Sequence, residues 1–122
     1  MRSRRRFSNL AALAGLTASL EFLLDRVGLD WALARNAALA DRAIAALGRL
    51  DGVEVVTPPR HAPLVCFRVR GRAPADVVAA LANEGVVARS VADTGVTRLS
   101  TGFYAAEAEI DRAVAVVGAL AR

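Results

Sequence analysis

The stretch from Thr97 to Asp111, TRLSTGFYAAEAEID, holds the residue best suited to chemistry in this chain. It reads as a short strand ending in an arginine, a Ser-Thr-Gly turn, an aromatic pair and an acidic helix start. Arg98 is expected where the strand stops and backbone opens to solvent. A guanidinium there offers a planar fork of donors, the shape that holds a carboxylate. On the residues alone, a strand-end arginine in a surface ion pair is the simpler reading.

The other reactive side chains suggest less. Cys66 alternates with Val65 and Phe67 in a strand pattern and reads as a small core or sheet-face residue. His61, between Pro59 and Pro63, reads as an exposed loop residue. Glu107, Glu109 and Asp111 fall in the first turns of a helix, where negative charge offsets the helix dipole. One cysteine and one histidine exclude an internal disulfide, a cysteine zinc cluster and a histidine-rich metal site. There is no phosphate-cradling glycine loop and no Ser/His/Asp set.

The scaffold for Arg98 has to come from a small chain. Its 122 residues allow one domain. Apolar residues make up 55% and aromatics only 5%, so alanine and valine fill the core and helices pack closely. All 16 basic residues are arginine, with no lysine anywhere. The net charge is +4, and Arg2, Arg4, Arg5 and Arg6 account for it, since the remaining 12 arginines balance 12 acids. That terminal patch, residues 1–8, is not a groove-facing basic surface, so neither nucleic acid nor membrane is expected as a partner.

Ser3-Arg4-Arg5-Arg6-Phe7 ahead of a charge-free run to Leu20 has the look of a twin-arginine export signal. The apolar pattern continues past Leu20 with Glu21, Asp25 and Arg26 interspersed, as an amphipathic helix would, and no small-x-small cleavage site follows. The expectation is a cytoplasmic protein with its single domain over residues 9–122.

In chain order, Leu10, Leu13, Leu16, Leu20, Leu23, Leu24 and Val27 share one face of a helix over residues 9–27. Asn9 or Ser8 caps it and Gly28 stops it. Asp30 caps a second helix, residues 31–50, with Trp31, Ala34, Ala38, Ile44 and Leu47 inward. Val53–Val56 is a strand stopped by Pro58-Pro59. Leu64–Val69 is another, with Val65, Phe67 and Val69 on one face. Ala73-Pro74 opens a third helix with Val77, Val78 and Leu81 inward, ending near Gly85. Val86–Ala88 and Val96–Ser100 are further strands. A last helix runs from Ala105 to Leu120 with Ile110, Val114, Val117 and Leu120 inward. The fold class is α+β: a small, mostly antiparallel sheet of about four strands covered by helices, with an N-terminal helical pair.

Three stretches carry a family resemblance. Arg5-Arg6-Phe7 followed by Leu13-Ala14-Gly15-Leu16-x-Ala18-x-Leu20-x-x-Leu23 is the first. The paired strands around Val53–Pro59 and Leu64–Val69 are the second. Gly95-Val96-x-Arg98-Leu99-Ser100-x-x-Phe103-Tyr104-x-x-x-x-Glu109-Ile110-Asp111 is the third and the most specific. Together they resemble the C-terminal, smaller domain of the class V aminotransferase group of pyridoxal-phosphate (PLP) enzymes of fold type I. That group includes cysteine desulfurases, selenocysteine lyases and isopenicillin-N-epimerase-like proteins. The resemblance implies that Arg98 holds the α-carboxylate of an amino-acid substrate. It also implies PLP as cofactor and a large PLP-binding domain as partner, supplied in trans or within a homodimer.

The departures are as informative. The family's chemistry needs a lysine bonded to the cofactor aldehyde, and this chain has none. The implied large domain is absent as well. After the aromatic, the family has a Gly-Thr pair that reaches the cofactor phosphate; here Phe7 is followed by Ser8 and Asn9. These two could donate to a phosphate, although a helix cap is the plainer role. Where the family has an asparagine helix cap after Tyr104, this chain has Ala105, which cannot cap. The segment from Arg89 to Thr97 lacks the cysteine that desulfurases carry there, which favours epimerase- or lyase-like relatives. The expectation is therefore a small-domain fragment or split subunit without turnover of its own. The alternative is a stand-alone small-molecule-binding or dimerisation module built on the same domain.

Overall fold

The computed structural model describes residues 9–122. The arginine-rich segment and Ser8 lie outside the described residues. The chain divides into two compact units, one ending at Ala32 and the other running from Leu33 to Arg122.

In the first unit, α1 spans Leu10–Glu21 and continues through a π-helical stretch, Phe22–Val27. Asn9 is its N-cap: its Oδ1 accepts from the Ala12 N–H at 3.1 Å, satisfying a donor that the first turn leaves without a helical partner. Gly28 ends the run at φ 84° and donates its N–H to Leu23 O at 2.9 Å. Only glycine takes such a φ without strain. The leucines expected on one face of this helix are exposed: Leu10, Leu13, Leu16, Leu20 and Leu24 at 50–76%.

α2 (Leu29–Leu47) begins in the first unit and contributes its residues from Leu33 on to the second. It starts ahead of Asp30, which lies inside its first turn, and ends before Leu50. Its inward face matches the sequence expectation at Leu47 and at Ile44, which packs against the core, and differs elsewhere. Leu39, Ala40, Ala43 and Leu47 are buried, while Trp31 is 55% exposed and Ala34 and Ala38 are exposed. The face that wins is the one whose alanines let the helix approach the sheet closely.

The sheet of the second unit contains β1 (Val53–Val55), β2 (Leu64–Val69), β3 (Arg89–Val91) and β4 (Val96–Ser100), in the order β1-β2-β4-β3. All pairs are antiparallel. In β2 the expected alternation holds, with Val65, Phe67 and Val69 buried. They meet Leu39, Ala43 and Leu47 of α2, Val77 and Leu81 of α3 (Pro74–Asn83), and Ile110, Ala113 and Val117 of α4 (Glu107–Leu120).

Two elements depart from the sequence reading. The third strand is Arg89–Val91 rather than Val86–Ala88. A 3-10 turn at Ala92–Thr94, closed by Gly95 at φ 62°, sets Val91 opposite Val96. Pairing then extends only as far as Arg89 against Arg98, so Val86–Ala88 precede the strand and Val87 stays 93% exposed. The last helix begins two positions later than expected, and its N-cap is Ala106 rather than Ala105. The Glu109 carboxylate accepts from the Ala106 N–H at 2.7 Å. Glu109 thus binds an orphan backbone donor in addition to offsetting the helix dipole.

Candidate functional site

β4 presents Arg98 between two neighbours. Cys66 of β2 is its register partner on one side and Arg89 of β3 on the other. Directly opposed residues of antiparallel strands share a face of the sheet, so these three belong to one face. Leu99 and Thr97, one step away, turn into the core beside Val65 and Phe67.

Arg98 is half-buried, and its Nε is buried with no hydrogen-bond partner. It lines a cavity of about 650 Å³. The cavity lies where the β3–β4 pairing stops: Val86–Ala88 border one side, Leu99–Thr101 with Tyr104 the other, and Ile110 and Ala113 of α4 the wall. Arg89, Glu109 and Arg112 also reach it. The Tyr104 ring lies over Gly102 and leaves no room for a side chain there. Tyr104 also meets Phe103 edge to face, with ring centroids 5.6 Å apart.

The acids around this site are engaged elsewhere. Glu107 pairs with Arg35 at 3.0 Å and Arg42 at 3.8 Å. Asp111 takes two hydrogen bonds from Arg42, at 2.8 and 2.7 Å. The Arg42 hydrogen bond holds the Asp111 carboxyl below the usual carboxylate range, and the same bond raises Arg42. Glu54 pairs with Arg68 at 3.3 Å, and Glu109 is turned to the Ala106 N–H. No ion pair reaches Arg98 among the described residues. A half-buried guanidinium facing an apolar-walled cavity, with an unused buried donor, suits a carboxylate from outside.

Thr101 fixes the end of this strand. It is buried, its N–H donates to Pro63 O at 3.0 Å, and its hydroxyl lies 3.1 Å from Asn36 O and 3.3 Å from Pro63 O.

The remaining candidates have the following surroundings. Asn9 caps α1 in the first unit. Cys66 is half-buried in β2, with its N–H donated to Thr57 Oγ1 at 2.7 Å. His61 corrects the expectation of an exposed loop residue. Its side chain is only 13% exposed, with Nε2 3.4 Å from Asp41 Oδ1 and Nδ1 2.8 Å from Ala62 O. Among the described residues no group of His, Cys, Asp and Glu could hold a metal. Sequence reasoning did not single out Arg89 or Arg112. Arg89 becomes visible only once the β3 register is placed three residues later.

Comparison with known proteins bears on the family and the fold. The family described as Aminotransferase class-V matches residues 3–113. A probable cysteine desulfurase from Halalkalibacterium halodurans is 35% identical over 81 residues, 66% of this chain and 20% of that protein. The cysteine desulfurase from Thermococcus onnurineus NA1 superposes with TM-score 0.84 at 25% identity, over 93% of this chain and 31% of that one. The cysteine desulfurase CsdA from Escherichia coli gives 0.77 at 27% identity, over 90% of this chain and 30% of that one. The chain thus spans a fifth to a third of the length of these relatives. With a small antiparallel α+β fold, an arginine in the last strand and a family match over most of its length, the chain belongs to the class V aminotransferase family.

Proposed function

We propose that this chain is the small-domain part of a PLP-dependent class V aminotransferase-like enzyme acting on an amino acid, and that Arg98 binds the α-carboxylate of that substrate. The observation that carries the reading is the buried, unpartnered Arg98 Nε beside a cavity of about 650 Å³. The family's chemistry uses PLP. The residues of this chain do not fit the cofactor itself, because no lysine is present to bond its aldehyde. They fit the carboxylate of the cofactor's substrate. Asn9 caps α1 through its Oδ1, which leaves its Nδ2 as the group that could donate to the cofactor phosphate.

Holding and activating the cofactor therefore falls to a large PLP-binding domain, supplied in trans or by a second copy in a dimer. On this reading residues 9–122 form a single small domain in a cytoplasmic enzyme. The exposed leucines of α1 provide apolar surface for such a partner to cover. What Arg98 contributes is orientation: a bidentate grip on the α-carboxylate leaves the Cα substituents free to be aimed at the cofactor. Which reaction follows, amino transfer, elimination or epimerisation, depends on the large domain.

The test is reconstitution. The chain is co-expressed with a class V large domain carrying the cofactor lysine, and amino-acid-dependent change in the PLP absorption is followed. The reading expects the two pieces to co-purify and the spectrum to respond to an amino acid, with the response lost in Arg98→Ala. A chain that self-associates and ignores the large domain supports the stand-alone module instead.

A further inference from the structure

The cavity beside Arg98 holds more positive charge than one carboxylate requires. Arg89 stands directly opposite Arg98 in the β3–β4 register. Like charges in that position destabilise a strand pair. Such an arrangement is usually relieved by an acid nearby, and here none does so. Arg35, Arg42 and Arg68 have carboxylate partners, whereas Arg89, Arg98 and Arg112, all on the lining of this cavity, have none among the described residues. Glu109, the one carboxylate on that lining, is turned to the Ala106 N–H.

We infer that the site is built for an amino acid carrying a second acidic group, with its α-carboxylate on Arg98 and its side-chain carboxylate on Arg89. This rests on the carboxylate role of Arg98 proposed above. Arg98, half-buried and with an orphan donor, is the stronger anchor. Arg89 is exposed and opens the strand at the cavity's edge. It can therefore meet the end of a side chain that extends outward from the α-carbon. An amino acid with an apolar side chain would leave that second guanidinium repelled by the first. A dicarboxylate neutralises both, so Arg89 acts as a determinant of substrate class.

The experiment is a titration of the 122-residue chain with L-alanine, L-aspartate and inorganic phosphate, followed by amide chemical shifts. It uses wild type, Arg89→Ala, Arg89→Lys and Arg98→Ala, with unchanged shifts in the remaining residues confirming the fold. L-aspartate is expected to bind wild type about tenfold more tightly than L-alanine, the size of one added charge-assisted hydrogen bond. Arg89→Ala should bring aspartate down to the alanine level and leave alanine unchanged, while Arg89→Lys keeps part of the preference. Equal affinity for the two amino acids, or equal weakening of both by Arg89→Ala, overturns the inference but leaves the Arg98 reading standing. Phosphate binding as tightly as aspartate also overturns it, because the site would then select charge and not two separated carboxylates. Failure of both amino acids to bind wild type removes both readings.

Discussion

Arg42 of α2 and Asp111 of α4 meet through two parallel hydrogen bonds, at 2.8 and 2.7 Å. The pair ties the two helices together next to the cavity wall. The Arg42 hydrogen bond lowers the Asp111 carboxyl relative to an unfolded aspartate, near 3.9. A carboxyl with a lower folded pKa contributes stability that is present above the unfolded value and is lost as pH falls through the folded one. Wild type should therefore lose stability below about pH 4 more steeply than Asp111→Asn, measured by urea unfolding from pH 2 to 7. Both side chains are exposed, so salt should reduce the difference.

The buried alanines of α2 give a second prediction. Ala43 is fully buried against the sheet, whereas Ala38 is exposed. Ala40 is equally buried but away from the cavity. Ala40→Leu should cost about 1–3 kcal/mol by overpacking, and Ala38→Leu should change stability by less than about 0.5 kcal/mol. Denaturant midpoints for the two variants check which face of the helix is inside.

The start of α4 gives a third. Its N-cap, Ala106, has no side chain able to accept from the first turn. Ala106→Asp should stabilise the protein by about 1 kcal/mol, while Ala105→Asp, one residue outside the cap, should not. Thermal unfolding of both variants separates the two positions.

These predictions fall where the sequence was hardest to read. β2 was legible because β-branched and aromatic residues alternate cleanly at Val65, Phe67 and Val69. Gly28 was legible as the end of its element, and it takes the positive φ that such an end requires. Arg98 was legible as a residue of the last strand but not in its place there: it lies at the middle of β4 and not at a strand end, because pairing with β2 runs on to Ser100. The inward face of α2 was not, because alanines occur on every side of the helix and give no contrast. The third strand was missed because Val86-Val87-Ala88 has the composition of a strand, while pairing is set by the turn at Ala92–Gly95. The Arg89–Arg98 pair and the cover over His61 are long-range consequences of register and packing, which local pattern does not encode.

The most direct test of the central claim reads the Arg98 Nε–H itself, since that donor is buried without a partner. Its nitrogen resonance is followed during titration of the chain with L-alanine, with ethylamine as the matched control lacking a carboxylate. The account predicts a saturable shift with L-alanine, none with ethylamine, and loss of alanine binding by about tenfold or more in Arg98→Ala. An Arg98 resonance that stays still, or moves equally with ethylamine, would contradict the assignment of Arg98 as the carboxylate-binding residue.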